Sequence, residues 1–135
     1  MPVESDDPLR EILDYETIAV VGCSTTAGKA AHEIPAYMQR HGYRIVPINP
    51  FADEILDETA YDSVTDVPDE IDIVDVFRPS EEVAGIVDEV LERDDAKVIW
   101  TQLGIKDDEA AQRAEAAGID VVQDRCLKVE HGRLR

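Results

Sequence analysis

Aromatic residues make up only 5% of this chain, and that scarcity sets the character of its interior. With 44% of the 135 residues hydrophobic, one domain with a real core can form, but aliphatic side chains must fill it. Cysteine is sparse as well. Cys23 and Cys126 lie far apart, which fits reduced thiols rather than a disulfide framework. No apolar run reaches the roughly 18 residues needed to cross a bilayer, and no secretory signal opens the sequence. A soluble, cytoplasmic protein is expected.

Basic residues are the third scarcity. Thirteen Lys+Arg face 31 Asp+Glu, for a formal net charge of −18, so nucleic acid and anionic membrane are disfavoured as partners. The only lysines are Lys29, Lys97, Lys106 and Lys128, and the acids are dispersed along the chain instead of gathered in a tail. This acidic pattern resembles that of halophilic proteins, in which concentrated salt screens self-repulsion; ordinary surface acidity is the plainer alternative.

Against these absences, the stretch from Thr17 to Lys29 stands out. An apolar, β-branched run ends in Gly22-Cys23-Ser24-Thr25-Thr26-Ala27-Gly28-Lys29, just before a helix-like pattern. Small residues let backbone N–H groups approach an anion, and a following helix adds unpaired amides and the positive end of its dipole. A second strand-like run, Tyr43 to Ile48, ends in Asn49-Pro50, completing a strand–helix–strand unit with its anion site at the expected end. As a dinucleotide fingerprint the turn is degenerate, Gly22-x-Ser24-x-x-Ala27, and Asn49 stands where nicotinamide cofactors want an acid for the ribose hydroxyls. As a Walker A loop it fails, because five residues separate Gly22 from Gly28 and Ala30 replaces the magnesium-binding hydroxyl. A tight strand-to-helix connection with no ligand would use the same small residues.

The alternation continues. Ser5-Asp6-Asp7-Pro8-Leu9 holds a cap followed by proline, so a short N-terminal helix should run from Pro8 to about Tyr15 with Leu9, Ile12 and Leu13 inward. A crossover helix from about Ala30 or His32 to Arg40 stops at Gly42. Ile71 to Phe77 is a third strand, and a helix opening at Pro79-Ser80 places Val83, Ile86, Val87, Val90 and Leu91 on one face. Lys97 to Thr101, an alanine-rich helix from Asp107 to Ala117, and Ile119 to Gln123 complete the pattern. The segment from Phe51 to Glu70 reads as a short helix or extra turn over the sheet edge. The expectation is an α/β, Rossmann-like, doubly wound parallel five-stranded sheet of order 3-2-1-4-5 with helices on both faces, residues 1–16 being a helical extension of a 17–135 domain. Ligands of such sheets bind at the carboxyl ends of the strands. Here those ends are Gly22 to Ser24, Asn49-Pro50, Phe77-Arg78-Pro79, Gln102-Leu103-Gly104 and Asp124-Arg125-Cys126.

These strand ends carry a resemblance. Gly22-Cys23-Ser24, the His32-Glu33 helix start, Pro47-Ile48-Asn49-Pro50, Ile71 to Arg78, Trp100-Thr101-Gln102-Leu103-Gly104 and Asp124 to His131 together resemble the small stand-alone CoA-binding proteins of the YccU type. The fold implied is similar to the CoA-binding domain of the succinyl-CoA synthetase alpha subunit, without that enzyme's phosphohistidine domain and ligase partner. Members of the type often carry Asp/Lys-Arg-Pro-Ser where this chain has Thr26 to Ala31, so Lys29 is the residue available to replace an arginine contact. The resemblance implies CoA or an acyl-CoA as ligand. Its pyrophosphate would lie on the amides of Cys23 to Thr26, with Ser24 and Lys29 as donors. Asn49, Pro50, Phe77, Arg78 and Pro79 would flank the adenosine, with Gln102 and Gly104 completing the strand-end set. Arg78 offers a planar, always-charged fork to phosphate. Each cation has a structural alternative: Lys29 as a solvated helix residue, Arg78 as the surface partner of one of many acids.

Catalytic residues are not evident. Cys126, Lys128 and His131 cluster after the fifth strand and Cys23 lies in the turn, but no base is spaced to activate either thiol. His32, His41 and His131 lack zinc-ligand spacing, and Tyr37 and Met38 are core or interface candidates. Three alternatives remain: a cysteine-dependent redox or acyl-transfer enzyme, an NAD(P)-binding redox or regulatory protein, and an interaction module that keeps the fold without the ligand. Small doubly wound domains often dimerise, so a homodimer is a candidate assembly.

Overall fold

The computed structural model describes residues 2–135. The chain runs α1 (Asp6–Ile12), β1 (Thr17–Val21), α2 (Ala30–Arg40), β2 (Arg44–Ile48), β3 (Glu54–Ile55), β4 (Glu58–Thr59), a 3₁₀ turn (Val64–Asp66), β5 (Ile73–Val76), α3 (Ser80–Leu91), β6 (Val98–Thr101), α4 (Asp108–Ala116), β7 (Asp120–Val122) and α5 (Leu127–Leu134). Five strands form one parallel sheet in the order β2-β1-β5-β6-β7, with Ile18 opposite Ile45 on one side and Ile73 on the other. The doubly wound parallel architecture is the expected one.

The strand order is not. With the five parallel strands counted along the chain, the sheet reads 2-1-3-4-5 rather than 3-2-1-4-5. The third strand lies beside β1 instead of beyond β2, and the reason is local. Pro47 has no N–H to give to a ladder, which suits β2 to the sheet edge. By contrast, all four residues of β5 are buried and require a covered, central position. The consequence is a topological switch point between β1 and β5, where the chain leaves β1 for one edge and β5 for the other.

Alternating side chains divide the core between the two faces. Ile18, Val20, Ile73 and Trp100 pack under α1, α2 and α5 with Leu9, Met38 and Leu127. Ala19, Val74, Val76 and Ile99 pack under α3 and α4 with Val83, Val87 and Ala114. Leu9, Ile12 and Leu13 are buried as expected, although α1 begins two residues before Pro8 and ends at Ile12. Helix α5 has no counterpart in the sequence reading. Segment 51–70 does run over the sheet edge and holds a short 3₁₀ helix at Val64–Asp66, but it also contains an unexpected strand pair: β3 and β4 form a small antiparallel ladder, and Tyr61 bridges to Ile48. Arg93 fastens the rest of that segment by donating to the carbonyls of Val64, Val67 and Asp69.

Candidate functional site

At the switch point, the turn after β1 faces the segment after β5. Gly22 has φ +87°, and a Cβ there would stand 2.8 Å from Cδ of Arg78, so only glycine lets the two strand ends approach this closely. Beyond it the chain folds back on α2. Pro35 lies inside that helix and has no N–H for the carbonyl of Ala31; the Ser24 amide donates there instead, at 3.0 Å. Ser24 Oγ accepts from the Thr26 amide at 3.0 Å, and Gly28, at φ +94°, donates its amide to Glu33 at 2.7 Å. The amides of Cys23, Thr25 and Ala27 have no acceptor among the described residues. Amides left free in this way can receive an anion.

Asn49 ties the end of β2 to that turn. Its Nδ2 donates to the Cys23 carbonyl at 3.0 Å, and its Oδ1 accepts from the Phe51 amide at 2.8 Å. The cleft that results has a volume of about 600 Å³ and takes in Gly22, Cys23, Ser24, Lys29, Asn49, Pro50 and Arg78 from the expected set. Its lining also carries Asp62, Glu82 and Glu89. Arg78 is not free: Nε and Nη2 reach both oxygens of Glu82, at 3.1 and 2.8 Å. That pairing raises the Arg78 pKa and lowers that of Glu82. Lys29 caps α2 from an exposed position and makes no ion pair among the described residues.

The remaining expected residues lie outside this lining. Thr25 and Thr26 are exposed on the outer part of the turn. Phe77 packs against the core under α1, α2 and α5, and Pro79 precedes α3 as its cap. Gln102 is buried, its Nε2 donating to Asp75 at 2.6 Å while its Oε1 accepts from the Leu127 amide. Gly104 donates to Asp124 at the far side of the sheet. Phe51, on the rim, was not singled out by the sequence; its side chain is 95% exposed.

Cys23 is 1% exposed. Burial, with the nearby Asp75 carboxyl adding to it, pushes its thiol up to about 12, so it stays protonated at neutral pH. Asp75 is itself buried, one oxygen having no partner in the described structure, and burial pushes its carboxyl up to about 7 although the Gln102 hydrogen bond favours ionisation.

Comparison with known proteins agrees with this arrangement. A CoA binding domain family model matches residues 16–132. The chain is 42% identical over 124 residues, covering 91% of both chains, to the uncharacterized protein YneT of Bacillus subtilis. It is similar throughout to the solved structure of a hypothetical protein from Pyrococcus horikoshii, with TM-score 0.93, 36% identity, and 99% of this chain and 96% of that one covered. It also matches an ADP-forming acetate–CoA ligase II of Archaeoglobus fulgidus, 33% identical over 87 residues; the match covers 63% of this chain but only 13% of the ligase. With the family model spanning the turn, the switch point and the last strand alike, this chain belongs to the CoA-binding domain family.

Proposed function

We propose that the protein binds coenzyme A at the carboxyl ends of β1, β2 and β5, with the pyrophosphate on the Gly22–Lys29 turn. The observation that carries this reading is the set of amides at Cys23, Thr25 and Ala27, without acceptors among the described residues, beside a Lys29 that makes no ion pair among them, a combination suited to an anion. Ser24 Oγ accepts one hydrogen bond within the turn and keeps its O–H to donate. Arg78 presents a guanidinium already oriented by Glu82, and a phosphate can take the carboxylate's place with the same two-pronged geometry. Asn49 puts no negative charge at the end of β2, which tolerates the 3′-phosphate of CoA and disfavours recognition of an NAD ribose by an acid.

An acyl-CoA differs only at the distal end of its pantetheine arm and fits the same reading. We assign the protein no chemistry of its own, because the protonated, buried Cys23 is unlike an acyl-transfer nucleophile. In this reading residues 17–135 form the ligand-binding unit of a soluble cytoplasmic protein, and residues 1–16 are an extension whose helix packs beneath it. Native mass spectrometry tests the assignment. A 1:1 CoA adduct that survives where an NAD⁺ adduct does not is the expected result; no CoA adduct at ligand excess, or equal adducts of both, contradicts it.

A further inference from the structure

We propose that Phe51 is the stacking platform for the purine base of the nucleotide held in this cleft, an assignment that rests on the CoA reading above and deepens it. Two observations carry it. Every other aromatic side chain is at least half-buried, whereas Phe51 stands 95% exposed. A ring this exposed gains no burial from folding and keeps its whole face available to a ligand that covers it. The backbone that carries the ring is held in place. Its amide donates to Asn49 Oδ1, and Asn49 Nδ2 donates to the carbonyl of Cys23, so the residue that fixes the Phe51 backbone at the rim also grips the turn with the free amides.

The lining of the cleft is correspondingly divided. Ser24, Lys29 and Arg78 supply donors to a polar part that also holds Asp62, Glu82 and Glu89, while Ile48, Pro50 and Phe51 form an apolar edge at the end of β2. Phosphates on one part and a flat base on the other is the chemistry of a nucleotide. Phe51 has no polar atom to read the edge of a base, so it contributes affinity through the ring face. The discrimination comes from the phosphate contacts.

The test is calorimetry on wild type, Phe51→Ala and Phe51→Trp with three ligands: CoA, adenosine 3′,5′-bisphosphate and 4′-phosphopantetheine. Stacking on an aromatic ring accounts for roughly a five- to hundredfold effect on affinity. Phe51→Ala is expected to weaken CoA and the bisphosphate by a common factor in that range and to leave phosphopantetheine unchanged. Phe51→Trp is expected to retain binding, with indole fluorescence quenched by the bisphosphate. Because Phe51 is exposed, melting temperatures should stay level across the three proteins. Unchanged CoA affinity in Phe51→Ala overturns the assignment, as does a loss confined to phosphopantetheine. Unchanged affinity together with a loss of self-association would instead place the ring at an interface between copies. Wild type that binds no CoA overturns the parent reading and this one with it, whereas wild type that binds CoA only as well as Phe51→Ala does removes only the role of Phe51.

Discussion

Gly22 and Arg78 meet across the switch point so closely that a Cβ on the glycine would stand 2.8 Å from Cδ of the arginine and 3.4 Å from the carbonyl carbon of Phe77. Gly22 therefore serves two purposes, a left-handed backbone and room for its neighbour. Gly28 has the first need without the second, since its φ is +94° and nothing lies within 4 Å of a Cβ there.

The pair gives a controlled comparison. Gly28→Ala should show only the cost of the backbone conformation, about 1–2 kcal/mol. Gly22→Ala should show that cost and also push Arg78 away from Glu82, so its CoA affinity should fall well beyond any loss seen in Gly28→Ala. Thermal melts and CoA titrations of the two variants decide it; equal affinity losses would mean that Arg78 placement does not depend on Gly22.

The buried Asp75 gives a pH signature. Its folded-state pKa, about 7, lies above its ordinary value of 3.8. The folded protein therefore binds the proton more tightly than the unfolded chain, and this residue's contribution to stability falls as pH rises from about 4 to about 7, then levels off. Asp75→Asn removes that titration. Subtracting the variant's stability from that of wild type at each pH isolates the effect from the many surface carboxylates. The difference should decline across that window, and a difference independent of pH would show that Asp75 is ionised in the fold.

The charge balance makes a separate prediction. With 31 acids and 13 Lys+Arg, most carboxylates cannot be paired, and their repulsion is the part of the energetics that salt screens. If the acidity is a halophilic adaptation, the melting temperature should climb from dilute buffer to molar KCl. A flat or falling curve would mark it as ordinary surface acidity.

Much of this arrangement was legible in the sequence because it is written in backbone terms. Gly22, Gly42 and Gly118 punctuate the elements where positive φ is needed, and near-continuous apolar runs mark strands covered on both faces. Strand order was not legible: 3-2-1-4-5 was expected and the sheet is 2-1-3-4-5, because the edge preference of Pro47 in β2 weighs only when it is compared with the fully buried β5. Helix α5 escaped because its buried positions include Glu130 and His131 while Val129 points outward, so no apolar stripe announces it. The buried Glu130 is instead held by Arg125 and Arg133. The β3–β4 turn escaped for a similar reason. Leu56 and Asp57 both take positive φ without the usual Asn-Gly signal, and the Gln39 side chain supports the turn from α2. In the candidate cleft, Gly22, Ser24, Asn49 and Arg78 could be named from the strand ends, and Lys29 from the turn that precedes α2. The commitment of Arg78 to Glu82 and of Gln102 to Asp75 could not, since both depend on side-chain geometry that spacing does not encode.

The most direct test of the central claim is a calorimetric titration of CoA, dephospho-CoA and NAD⁺ into wild type and Arg78→Ala. A 1:1 CoA isotherm is predicted, with affinity roughly ten- to a hundredfold above that for dephospho-CoA, the range expected for one charge-assisted contact. NAD⁺ should bind more weakly than CoA, and the gap between CoA and dephospho-CoA should close in Arg78→Ala. No CoA isotherm, or NAD⁺ binding as tight as CoA, would contradict the account; a 3′-phosphate that makes no difference in wild type would remove Arg78 from it.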